Sequence, residues 1–325
     1  METMSQFGLG CATFASDWRG VPDDEARRIL VTAYREGIWF LDTAHMYGNG
    51  RSETLIGEVL GSYRDKLTVC TKIGVRLSDP ADSNTMAPDS RTDSLLRQAE
   101  ESLSRLGTDY VDYLLLHQPD PRRSAQEQME SLAVVRDRGL ARHVGFSNYP
   151  LDACEAALST GIPEAVEYSL NLIDNRNVPQ LRAAAGSCLR ITFGTFAHGL
   201  LAEDLSADTE FGAGDWRSRS RASGDARTSG NVYFAGPAYS ANLMIAQELR
   251  EIGRQHGLTL GDVAIAALRE FGLSEVTVLG CRSVAELQSN LRGGSGDLPA
   301  EASRAVRAVL SSCATSPAAN GPVTA

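Results

Sequence analysis

Phe7-Gly8-Leu9-Gly10-Cys11-Ala12-Thr13 is the stretch on which the fold turns. It reads as a short first strand that runs into a turn. In an open doubly wound sheet this turn would carry Gly-x-Gly-x-x-Gly, with a strand-end acid about 20 residues later. Here Thr13 stands where the third glycine would be, and the next strand-end acid, Asp42, lies too far on. The open sheet is therefore disfavoured, and another parallel architecture has to explain the rest of the chain.

Outward from this stretch, short apolar runs alternate with amphipathic ones. Strands are expected at residues 7–12, 38–42, 67–73, 111–117, 141–145, 165–170, 189–194 and 276–279. Most are rich in Val, Leu, Phe, Tyr or Thr and are bounded by Gly, Pro, Asn or Asp. Helices are expected at 23–37, 91–105 and 124–138, the first opening after Pro22 and all ending at or just before a glycine. Two further helices, 242–256 and 260–271, precede the eighth strand. Eight strand–helix units in a chain of this length predict an α/β fold, a closed (β/α)8 TIM barrel. A long Gly-, Ser- and Arg-rich loop, residues 202–238, follows strand seven. The expected organisation is one barrel domain over residues 5–295, a C-terminal helix at 296–312 packed on it, and a disordered tail at 313–325.

Composition limits the partners. The net charge of −10 over 325 residues repels phosphate backbones and anionic lipid surfaces, so neither nucleic acid nor membrane is an expected partner. No apolar run is long enough to span a bilayer. The opening METMSQFGLG has no basic start followed by an apolar run, so no secretory leader is expected. Six scattered cysteines without a CxxC pair suggest reduced thiols in a cytoplasmic protein, with no metal site. Association into a homo-oligomer is left open. Of 31 basic residues only Lys66 and Lys72 are lysines.

In a barrel of this kind the chemistry sits at the carboxyl ends of the strands. Strand two ends at Asp42 and leads into a loop carrying Tyr47; strand three carries Lys72; strand four ends at His117. A nearby ammonium lowers a phenol pKa, so Lys72 is expected to bring Tyr47 towards working pH as a proton donor. Asp42 would hold the ammonium, and His117 would orient a carbonyl or pass on a proton. Each residue alone has an ordinary structural explanation, such as a turn cap or a satisfied strand-end histidine. Their convergence from adjacent strands favours a shared chemical task.

The motifs Asp42-Thr43-Ala44, Tyr47-Gly48, Gly50, Ser52-Glu53, Thr71-Lys72, Leu116-His117 and Gly145-Phe146-Ser147-Asn148 together resemble the aldo-keto reductases. The branch most similar in look is that of the potassium-channel β-subunits and their bacterial relatives, and the resemblance runs from Phe7 to about Leu291. It implies NADPH (NADP+) as cofactor, with NADH disfavoured, and a catalytic tetrad of Asp42, Tyr47, Lys72 and His117. It implies reduction of an aldehyde or ketone to an alcohol, with Tyr47 as proton donor. It assigns Ser147 and Asn148 to the nicotinamide carboxamide, Gly10 and Cys11 to backbone near the ring, and Phe193 to ring stacking. Gly194 follows in the strand-seven motif; Gly280, Arg282, Glu286 and Asn290 match the segment that grips the adenine end. Arg282 suits a 2′-phosphate. Arg217, in the long loop with Trp216, Arg219, Arg221 and Arg227, would close over the pyrophosphate.

Some positions depart from the family pattern. Ala165 stands where a Gln is common, which removes a side-chain hydrogen bond of about 1 kcal/mol. Gly194-Thr195-Phe196-Ala197 replaces Ser-Pro-Leu-Gly, and Glu286 and Ser289 replace a Gln and a Glu. Trp18, Met46, Tyr47, His117 and Tyr149 are the expected substrate-pocket residues, for a small-molecule carbonyl substrate. Two other functional classes compete: an NADPH-binding regulatory or interaction protein with little turnover, and a barrel enzyme such as a lyase or isomerase that binds no nicotinamide.

Overall fold

The computed structural model describes residues 6–15, 20–79, 82–212, 215, 217–218 and 231–313. In chain order the strands are β1 (Phe7–Gly10), β2 (Phe40–Asp42), β3 (Thr68–Ile73), β4 (Val75–Asp79), β5 (Asp82–Pro88), β6 (Val111–Leu116), β7 (Ala141–Ser147), β8 (Ala165–Ser169), β9 (Leu189–Phe193) and β10 (Val276–Gly280). Strands β4 and β5 pair antiparallel as a separate hairpin. The other eight close into a barrel in the order β1-β10-β9-β8-β7-β6-β3-β2. This is the (β/α)8 architecture expected from the alternation, with each of the eight expected strands in place. The hairpin is an addition: its segment follows Lys72 and Ile73 and leads back to the loop before the next helix.

Helices α1 (Asp23–Arg35), α2 (Arg51–Leu60), α3 (Thr92–Leu106), α4 (Ala125–Asp137), α5 (Leu151–Ser159) and α6 (Val178–Ala183) connect the strands. Their ends follow from sequence. Asp23, Asp24 and Glu25 fill the first turn of α1, where the macrodipole favours negative charge. A capping box between Ser124 and Glu127 starts α4. Gly107 ends α3 in the left-handed conformation.

The described residues form two compact units. The first takes those within Met1–Tyr168, Pro179–Phe193 and Ser274–Leu287, and so holds nearly all of the barrel strands. Its interior is filled by Phe40, Cys70, Leu115, Ala165, Ile191, Val276 and Val278, with Tyr113, Leu189 and Phe193 packed against them. Gly145 shows how tightly β7 and β8 approach, because a Cβ there would run into the Ala165 carbonyl oxygen.

The second unit takes those within Ser169–Val178, Gly194–Leu273 and Gln288–Ala325. Its main helices are Gly236–Gln255, Leu260–Phe271 and Ala300–Cys313. The first of these begins ahead of the expected residue 242, since Pro237 suits a first helical turn. The last packs against Gly236–Gln255, and its Arg307 pairs with Glu270. Of the expected tail at 313–325, residues 314–325 lie outside the described residues, as do Trp18, Trp216, Arg219, Arg221 and Arg227. No helix among the described residues is long and apolar enough to cross a membrane.

Candidate active site

Side chains alternate along a strand, so the residue two places beyond a core-filling one also faces inward. Phe40, Cys70, Leu115 and Ala165 belong to the apolar layer inside the barrel. Two places further on stand Asp42, Lys72, His117 and Glu167. The carboxyl end of the barrel is therefore a polar layer resting on an apolar one.

Lys72 is only 1% exposed, whereas Lys66 is exposed. A buried ammonium needs charge partners and acceptors. Lys72 Nζ is ion-paired with Asp42, donates to the Thr43 carbonyl at 3.0 Å and lies 3.2 Å from Glu167 Oε2. It stands 5.5 Å from the centroid of the Tyr47 ring. The Tyr47 and His117 rings meet edge-on, with centroids 5.8 Å apart and planes at 83°. Asp42, Tyr47, Lys72 and His117 are thus brought together, as the strand ends led one to expect.

The loop that carries Tyr47 is fixed from both sides. Its start is held by Thr43 N–H to Cys70 O and His45 N–H to Lys72 O, at 2.9 and 3.0 Å. Thr43 Oγ1 meets Ser52 Oγ at 2.8 Å, and Ser52 Oγ donates to the Cys11 carbonyl at 3.0 Å. Behind it, fully buried Glu53 accepts from Thr71 Oγ1 at 2.6 Å and from Arg105 Nε at 2.7 Å. Arg105 reaches His45 Nδ1 at 3.4 Å, which leaves His45 Nε2 to donate to the Val75 carbonyl at 2.9 Å. Gly50 has φ +89°, and a Cβ there would collide with Arg105. Residue types from Ser52-Glu53 to Arg105 therefore serve the position of Tyr47.

Electrostatics set the protonation states of the group. Burial opposes the charge on Lys72, but Asp42 and Glu167 outweigh it and hold the ammonium well above its ordinary pKa. Burial pushes Glu167 up to about 8, with Asp42 adding to the rise and Lys72 opposing it. Burial, then Lys72, pushes His117 down to about 3, so the imidazole is neutral at neutral pH. Tyr47 departs from expectation. Its phenol pKa lies above the ordinary value, because burial, Asp42 and Glu167 together exceed the pull of Lys72. One ammonium shared with two carboxylates does not acidify the phenol. Tyr47 keeps its proton at neutral pH.

Glu167 is the residue that sequence reading passed over. Counting by twos from the inward-facing Ala165 would have placed it in the same layer as Asp42 and Lys72. Asp42, Cys70 and Glu167 also have ligand atoms within 4.8 Å of one another. The ammonium of Lys72 supplies positive charge to that group.

The remaining predicted residues divide. Ser147 is buried at the end of β7, with Glu167 as its register partner on β8. Asn148 is exposed, with φ +62°, and its Nδ2 donates to His117 O at 3.0 Å and to Ser147 Oγ at 2.9 Å. Ser147 then keeps a hydroxyl proton and Asn148 keeps its amide oxygen, a donor and an acceptor that complement a carboxamide. Gly10 and Gly280 are register partners on β1 and β10, and open space surrounds the position of a Gly280 Cβ. These features fit a nicotinamide cofactor. Cys11 fits less directly: its N–H donates to Asp42 O at 2.8 Å and its carbonyl serves Ser52. Phe193 is half-buried at the end of β9 and Met46 is half-buried beside Tyr47 in its loop. Arg282 N–H donates to Glu286 Oε2 at 2.8 Å, and its guanidinium, half-exposed, stands 3.3 Å from the same carboxylate.

Tyr149 is not brought to the group. It is 1% exposed, its hydroxyl donates to Gln128 at 2.7 Å, and its ring packs on Phe146. Gly194, Arg217 and Asn290 belong to the second unit. There Arg217 is buried, paired with Asp215 and Glu203 and stacked on the Phe211 ring. Its guanidinium is engaged within its own unit.

Residues 6–311 match the sequence model of the Aldo/keto reductase family. A Methylglyoxal reductase, DkgB, of Salmonella typhi is 31% identical over 62% of this chain and 70% of its own length. Aldo-keto reductase YhdN of Bacillus subtilis is 22% identical over 88% of this chain and 83% of its own. Among solved structures, a glycerol dehydrogenase from Gluconobacter oxydans superposes with a TM-score of 0.82 at 25% identity, covering 98% of this chain and 95% of its own.

Proposed function

The chain belongs to the aldo/keto reductase family, and from that premise we propose that it is an NADPH-dependent reductase of aldehyde or ketone carbonyls. The observation that carries the reading is the protonated Tyr47 phenol set between the Lys72 ammonium and neutral His117. When bound, the reduced nicotinamide supplies the hydride. Ser147 and Asn148 would hold its carboxamide, the bare backbone at Gly280 would leave room beside it, and Arg282 would meet the 2′-phosphate that separates NADPH from NADH.

The chain's own residues do the rest. His117 donates a hydrogen bond to the carbonyl oxygen and sets its direction. Tyr47 Oη transfers its proton to that oxygen as negative charge builds there. Lys72, kept charged by Asp42, stabilises the phenolate left behind. Met46 would line the approach to the carbonyl from the Tyr47 loop.

The test is a titration of NADPH fluorescence against the purified protein, followed by a panel of aldehydes and ketones. Binding followed by substrate-dependent loss of the reduced-cofactor signal is expected. Saturable binding without oxidation of NADPH by any carbonyl would favour the regulatory class instead.

A further inference from the structure

Glu167 has no task in the reduction described above, yet it is placed in the middle of it. It is 1% exposed. Its Oε2 lies 3.2 Å from Lys72 Nζ and makes no hydrogen bond. The residue below it on the inward face, Ala165, offers only a methyl group. Lys72 has three N–H donors. One goes to Asp42 and one to the Thr43 carbonyl. Beside the third lie Glu167 Oε2, at 3.2 Å from Nζ, and the Tyr47 ring, its centroid 5.5 Å away.

We propose that Glu167 is a positioning residue for Lys72: protonated, it leaves the third ammonium N–H to Tyr47, and ionised, it takes that N–H and places a second negative charge beside the phenol. The proposal rests on the reduction reading, because the consequence is loss of proton transfer from Tyr47. The ionisation releases one proton and changes no other bond.

The charged and titratable groups that face Glu167 are few. From β2 comes Asp42, from the following loop Tyr47, and from β3 Cys70 and Lys72. His117, after β6, faces Lys72 and is neutral. On the flanking strands, His143 of β7 is paired with Glu164 and stacked on Tyr113, and Arg190 of β9 is paired with Glu275. Burial and Asp42 then place the ionisation of Glu167 at about 8.

The test is Glu167→Gln, which copies the protonated acid and cannot ionise. Turnover of the wild type is expected to fall above pH of about 8 along a single-proton slope. Whatever its turnover at neutral pH, E167Q is expected to lose that alkaline limb. An unchanged limb in E167Q would overturn the proposal.

A second readout needs neither cofactor nor turnover. An ordinary glutamate ionises near pH ~4.3, and the folded protein holds this proton up to about 8. Between these values the folded state binds more protons than the unfolded state, so stability from this group falls as pH rises. The wild-type thermal midpoint should decline across that window more steeply than that of E167Q, and parallel profiles would contradict a proton on Glu167. If no carbonyl drives oxidation of NADPH by the wild type, the reduction reading fails, while the two stability profiles still decide where the proton is. Should E167Q not accumulate, Glu167→Met makes the same two comparisons.

Discussion

Lys72 is the residue on which the site depends. It is one of two lysines in the chain, and the other is exposed. Removing its charge by Lys72→Met would leave the Asp42 carboxylate buried without a cation. A loss of about 3–5 kcal/mol in denaturant unfolding is expected, and an unchanged midpoint would mean that Asp42 is not ionised there. At this scale the sequence pointed to the group of Asp42, Tyr47, Lys72 and His117, because three of them stand at or near strand ends and Tyr47 follows in the loop after Asp42. It hid Glu167, whose Ala165-Val166-Glu167-Tyr168 surroundings read as one more buried strand. It also misdirected on Tyr149, since an aromatic after Ser147-Asn148 looks like a pocket wall until its hydroxyl is seen on Gln128. The direction of the Tyr47 shift was not legible either. It depends on how many carboxylates share one ammonium, which is a property of the assembled layer.

Elements were easier to read than residues. The strands show as short apolar runs, and the helix ends show as glycines and capping acids. The β4–β5 hairpin escaped because Asp79-Pro80-Ala81-Asp82-Ser83-Asn84 has the composition of a loop. The helix Gly236–Gln255 started early for the opposite reason: Gly236-Pro237 looks like a break but suits a first turn. Strands β7 and β8 approach closely where Gly145 faces Ala165. Gly145→Ala should cost about 1–3 kcal/mol through overpacking. It should also weaken NADPH binding, because Ser147 and Glu167 are the next inward pair on the same two strands. Chemical unfolding and fluorescence titration of the variant check both, and an alanine accepted without loss would show that the strands can separate cheaply.

At the scale of the whole molecule, barrel closure brings residues far apart in sequence into one polar layer. Asp42 and Glu167 are 125 positions apart yet share Lys72. A ligand that binds only the folded chain stabilises it by about 2.7 kcal/mol at a hundredfold excess over its dissociation constant. NADPH is therefore expected to raise the thermal midpoint more than NADH does, and Arg282→Gln is expected to narrow that difference. Equal shifts in the wild type would remove Arg282 from the choice of cofactor.

The central claim is that Tyr47 donates the proton and that the remaining layer keeps it ready to do so. The direct measurement is Tyr47→Phe beside the wild type, with NADPH affinity and carbonyl-dependent NADPH oxidation read on the same samples. The account predicts nearly unchanged affinity and a turnover lower by about 10²–10⁴, the usual contribution of a positioned general acid. A variant that turns over at the wild-type rate would contradict it.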